Sequence, residues 1–110
     1  MDRVTKEQLG LPEITRREVN LYAGHTHGAK IYPVLDDTNK TYAVVIVPED
    51  ENERPAYVAV MARVVGDYII IDEDGTLDKP LVNALMHNAG VPREQIVLAY
   101  QGETMPEAAE

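Results

Sequence analysis

Hydrophobic and polar positions fall into two regimes along this chain, and the change comes near residue 30. Before it, residues 1–11 are polar with scattered apolar positions and no clear period. Pro12 is placed to open a helix through Glu13-Ile14-Thr15-Arg16-Arg17-Glu18-Val19-Asn20-Leu21-Tyr22, since a proline in a first turn removes an N–H that has no partner there anyway. Val19, Leu21 and Ala23 also alternate as a strand would, so 12–23 reads as helix with strand as the alternative. Gly24 to Gly28 reads as a loop.

From Ile31 the pattern is β. Ile31-Tyr32-Pro33-Val34-Leu35 predicts a strand whose proline places it at an edge or a bulge. Asp36 to Lys40 predicts a hairpin loop, and Thr41 to Val47 the next strand. A loop between Pro48 and Pro55 carries Glu49, Asp50, Glu51 and Glu53. Tyr57 to Val65 is a third strand, Gly66-Asp67 a tight turn, and Tyr68 to Asp72 a fourth. Asp78 is placed to cap a helix running to about Ala89, with an apolar stripe of Leu81, Val82, Leu85, Met86 and Ala89 and a stop at Gly90. Val91-Pro92 turns the chain into a last buried strand, Ile96-Val97-Leu98. The expected fold is therefore α+β, an antiparallel meander of four or five strands with one or two helices on one face. Residues 1–100 form the single domain and residues 101–110 an acidic flexible tail.

Several of these strands are apolar on both sides. In the third, Val58, Val60, Ala62 and Val64 alternate with Tyr57, Ala59, Met61 and Arg63. Helices of this size cover one face only. The second face then lies under the N-terminal segment or meets a partner. On the second reading, Tyr57, Ala59, Met61 and Arg63 are the candidate protein interface.

Charge narrows the partners. The chain of 110 residues has a net charge of −9, with 19 acids against 10 bases. Residues 1–30 sum to +1, so the acidity belongs to the remainder. Duplex DNA would be repelled by most of such a surface, whereas a basic protein is accommodated. The chain has no Cys and no Ser, so disulfides, thiolate zinc sites and the two commonest nucleophiles are excluded. No apolar run reaches the roughly 20 residues of a membrane span, and a cytoplasmic protein is expected.

The remaining constellations are thin. His25 and His27, with Asp36 and Asp37 across a possible hairpin, could offer metal ligands, but spacing fixes no complete set and no cofactor is implied. Asp72-Glu73-Asp74-Gly75 resembles part of a calcium loop, yet the position a bidentate Glu would take is Asn83. Five tyrosines (Tyr32, Tyr42, Tyr57, Tyr68, Tyr100) fall one per strand, and acidic or aliphatic neighbours along the chain make core-edge positions the expected reading over a base-stacking platform. Nothing assembles a nucleophile, base and oxyanion donor, so a non-enzyme is expected.

From Ile14 to Leu98 the chain resembles the XisI-type family, the fdxN-element excision controlling factors. The resemblance is carried by Asp36-Asp37 and Tyr42, by Tyr57, by Gly66-Asp67 before Tyr68-Ile69-Ile70-Ile71, and by Thr76, Leu81 and Leu85. Gly90-Val91-Pro92-Arg93 with Ile96-Val97-Leu98 completes it. The family usually has a Trp where Ile70 stands, a His where Met61 or Ala62 stands, and an aromatic tail in place of Gln101 to Glu110. The resemblance implies a non-catalytic accessory factor that controls excision of a DNA element. It would act through contacts with an XisH-type nuclease-like protein or a recombinase, and a homo-oligomer is possible on the same surface. Two rival functions remain open. One is a nuclease inhibitor or antitoxin-like protein acting through Glu49 to Glu53; the other is a small metal-dependent hydrolase using His25, His27, Asp36 and Asp37.

Overall fold

The computed structural model describes residues 9–50 and 52–106. Helix α1 spans Leu11–Asn20. It starts where Glu13 Oε1 accepts the Gly10 N–H at 2.8 Å, with Pro12 in the first turn. Ile14, Thr15, Glu18 and Val19 lie on its buried face, at helical spacing. The competing strand alternation fails at Leu21, which is 69% exposed. Helix therefore wins over 12–20 because the 3.6-residue period buries more apolar surface than the 2-residue one.

Six strands follow: β1 (Gly24–Thr26), β2 (Ala29–Asp36), β3 (Thr41–Pro48), β4 (Tyr57–Val65), β5 (Tyr68–Asp74) and β6 (Ile96–Leu98). They form one sheet in sequence order. The sheet thus exceeds the four or five strands expected. The addition is β1: the Gly24 to Gly28 stretch is no loop but one arm of a hairpin, with His25 opposite Lys30 and Thr26 opposite Ala29. Pro33 sits as the sequence required, because β1 ends opposite Ile31 and leaves the rest of β2 with a free outer edge.

The first five strands pair antiparallel, while β6 lies parallel to β5. Its direction follows from the connection, since the chain leaves β5, runs through helix α2 (Leu81–His87) and returns alongside. Helix α2 is shorter at both ends than expected, and its cap is not Asp78. Asp74, at the end of β5, accepts the Leu81 N–H at 2.8 Å. The same carboxylate accepts from the Thr76 N–H at 2.9 Å and its hydroxyl at 2.6 Å, which closes the Asp72–Gly75 stretch as a strand end and turn. Gly90, at φ +73°, ends the helical segment with its N–H on the Met86 carbonyl.

Both helices pack on the same face of the sheet. Val19, Tyr42, Val44, Val60, Ala62, Ile69, Ile71, Leu81 and Leu85 are the fully buried centre of this core. No helix among the described residues is long and apolar enough to cross a membrane. Of the segment 101–110, residues 107–110 lie outside the described residues. Nearer the domain, the Glu103 carboxylate accepts the Leu98 N–H at 2.9 Å.

Candidate interaction face

Cross-strand partners share a face, so the register assigns the side of the sheet away from the helices. One row runs Tyr32, Val45, Val58; the next Val34, Ala43, Met61, Glu73; a third Asp36, Thr41, Arg63, Ile70, Val97. Ala43, Ile70 and Val97 are buried yet take no part in the core under the helices, as residues of a second face should. Tyr32 (44%), Val34 (52%), Val47 (37%) and Val58 (40%) remain exposed there. Both helices pack against the other face, with the core cluster.

The face has two halves. On the β5 side, Arg63 makes a bidentate pair with Asp72, Nε to Oδ2 at 2.6 Å and Nη2 to Oδ1 at 3.2 Å. Its cross-strand partner Ile70 is only 3% exposed. Across β2, β3 and the start of β4 the surface is apolar, with Tyr32, Val34, Val45, Val47 and Val58 uninterrupted by an acid. At its margin the Lys30 ammonium lies 4.9 Å from the centre of the Tyr32 ring. Arg63 and Asp72 neutralise each other here, Glu73 lies beside Met61, and the molecule as a whole is at −9.

The four residues read from alternation separate. Val44 pairs with Val60 but Val45 pairs with Val58, which leaves Ala59 as an extra residue in a β-bulge. The bulge inverts the two ends of β4. Met61 and Arg63 are on the open face as expected. Ala59 is 8% exposed within the core cluster. Tyr57 pairs with Ile46 on the helix side, under the Arg54 guanidinium at 3.8 Å from its ring centre. Val58 takes the place assigned to them. Tyr32, Val34 and Val47 were missed, although the period of β2 and β3 would have found them: Lys30, Tyr32, Val34 and Asp36 alternate with Ala29, Ile31, Pro33 and Leu35.

The histidines and aspartates fare differently. His25 opposes Lys30 at one end of β2, and Asp36 lies six residues further along it, a separation of roughly 20 Å at ~3.3 Å per strand residue. The structure therefore does not bring them together. Asp36 is occupied by its own turn, accepting the Asn39 N–H at 3.1 Å and the Asn39 Nδ2 at 2.7 Å. Its carboxyl is held below the ordinary value by the Asn39 side-chain bond first and the backbone bond second. Asp37 accepts the Tyr42 hydroxyl at 3.1 Å and lies 3.4 Å from Arg16. His27 lines a groove of about 490 Å³ with Glu49, Asp50, Glu53 and Arg54. No group of three or more His, Cys, Asp or Glu able to hold a metal ion occurs among the described residues.

A second concavity of about 430 Å³ lies between the helices, with Glu18, Tyr22, Lys79, Ala84 and His87 on its walls. Glu18, 3% exposed, is held by Arg17 at 3.1 Å and Asn88 at 3.2 Å. The Tyr22 hydroxyl donates to the Lys79 carbonyl, tying α1 to the start of α2. Burial, then the nearby Asp74 and Glu18 charges, push its pKa up to about 12. These groups satisfy one another and lock the helix pair.

Two solved structures share the fold. A XisI-like protein from Anabaena variabilis is 21% identical, with 83% of this chain and 84% of that one covered and a TM-score of 0.70. The fdxN element excision controlling factor XisI from the same organism is 20% identical, with 90% and 87% covered and a TM-score of 0.60. Among curated proteins none matches the chain. The family model described as XisI protein matches all of it, residues 1–110. By sequence along its whole length and by fold, this chain belongs to the XisI family.

Proposed function

We infer that this protein is a non-catalytic accessory factor in the excision of a DNA element, acting by binding another protein. Family membership supports the accessory role in excision. The carrying observation is the aliphatic half of the open sheet face, Tyr32, Val34, Val45, Val47 and Val58, in a molecule whose surface is otherwise strongly acidic. Apolar surface of this kind gains free energy only when another surface covers it. The occupant is an XisH-type nuclease-like protein or a recombinase. Such DNA-handling proteins carry basic surface, which the net charge of −9 draws in before the apolar patch engages. The absence of Ser and Cys from the sequence is in keeping with a role free of chemistry.

The test is capture of the XisH-type protein of the same host by tagged wild-type chain and by the Val34→Asp/Val58→Asp double variant. Burying two unpaired carboxylates in the contact should weaken capture by about 30-fold or more, the scale of a lost hot spot. Undiminished capture by a variant with a wild-type circular dichroism spectrum would remove this face from the reading. A charge-reversed Glu49→Lys/Glu53→Lys variant discriminates the inhibitor-like function, in which the acidic loop and not the sheet face makes the contact.

A further inference from the structure

Strand β6 is the last of the sheet, and among the described residues its outer edge has no neighbouring strand. Alternate residues of a strand direct their backbone groups to opposite sides. Val97 faces β5, while Ile96 and Leu98 turn their N–H and C=O groups outward. Such an edge is ordinarily a template for another strand. Here all four outward groups are already taken, and by only two residues. The Ile96 N–H donates to the Arg93 carbonyl, and the Ile96 carbonyl accepts from Arg93 Nη1 at 2.7 Å. The Leu98 carbonyl accepts the Glu103 N–H at 3.1 Å, and the Leu98 N–H donates to Glu103 Oε1 at 2.9 Å. Arg93 Nη2 then closes the arrangement on Glu103 Oε2 at 2.7 Å.

The two side chains thus cap one acceptor and one donor of the strand edge, the Ile96 carbonyl and the Leu98 N–H. We propose that Arg93 and Glu103 form a clasp that shuts the sheet edge, and that the occupant they exclude is the β6 edge of a second copy. The self-pairing follows from the order of these groups along the strand. Two β6 strands related by a two-fold axis at Val97 set Ile96 of one against Leu98 of the other. The Leu98 N–H of each copy then meets the Ile96 carbonyl of the other with no register shift, while the Ile96 N–H and the Leu98 carbonyl stay on the Arg93 and Glu103 backbone. The clasp thus shuts the β6 edge, as Pro33 interrupts the part of β2 that β1 leaves uncovered.

The clasp residues are half exposed, so replacing them leaves the core intact. The experiment follows sedimentation of the full chain and of the Arg93→Ala/Glu103→Ala variant over a range of concentrations, at a salt concentration that screens the like charges. Amide exchange at Leu98 is followed on the same samples. The wild type should keep one stoichiometry with Leu98 protected throughout. The variant should double that stoichiometry as concentration rises, with the Leu98 amide open when dilute and protected when associated. A variant that keeps the wild-type stoichiometry, or associates while Leu98 stays open, overturns the proposal. If the double variant does not fold, Arg93→Met/Glu103→Met, which keeps the length of both side chains and removes their polar atoms, is read by the same two criteria.

Discussion

Asp74 joins three parts of the structure with one carboxylate, and residues of this kind set the local balance here. It caps α2 across seven residues of sequence while holding the Thr76 turn. Removing it strands partly buried N–H groups, so Asp74→Ala should lower unfolding free energy by about 1–3 kcal/mol in urea titration. Asp78→Ala, at the cap position read from sequence, should lie within about 0.5 kcal/mol of wild type. Tyr22 gives a second prediction. Its ordinary pKa of 10.0 is raised to about 12 in the fold, first by burial. Tyr42 and Tyr100 shift the same way, also with burial first. Between those values the folded chain holds more protons than the unfolded one, so stability is full below about pH 10 and falls as pH rises toward 12. Denaturation across that range should show a shallower fall in Tyr22→Phe.

At the scale of elements, the helix layer and the open face differ in what they tolerate. Leu85 is fully buried under α2, so Leu85→Ala should cost about 2–5 kcal/mol, the range for a cavity left in a packed core. Val34→Thr, on the open face at 52% exposure, should change stability by less than about 0.5 kcal/mol. Thermal and chemical denaturation of the two variants check the contrast. Strand β4 shows why the face could not be assigned from alternation alone. One inserted residue, Ala59, shifts every side chain before it to the opposite side. Nothing in Tyr57-Val58-Ala59-Val60 marks the bulge, since all four residues suit either face.

At the scale of the whole molecule, an acidic chain carries an apolar surface patch. These two features respond oppositely to salt, and that separates the modes of binding. Between about 0.1 and 1 M salt the Debye length falls from ~10 to ~3 Å. Partner capture through Val34 and Val58 should persist or strengthen over this range, because exposed charges then matter less than apolar burial. Binding through Glu49, Asp50 and Glu53 should fall steeply instead. Equilibrium binding at the two salt concentrations distinguishes them.

Strand positions, the Pro33 edge, the α2 stripe and the family itself were legible along the chain, because each rests on local period, turn chemistry or consecutive residues such as Gly90-Val91-Pro92-Arg93. The choice of helix over strand for 11–20 was half legible: two periods competed, and burial of Ile14 and Val19 against the sheet decided. Other features needed the tertiary structure. The bulge at Ala59 depends on pairing with β3. The cap from Asp74 and the clasp of Arg93 with Glu103 join residues brought near only by folding. The short hairpin arm at Gly24 to Thr26 has no hydrophobic pattern of its own, since all three residues are exposed. The sequence by itself determined which residues could form strands, helices and turns. Which side each strand presents, and what closes its edges, came from pairing between distant segments, where one inserted residue or one ion pair is enough to decide.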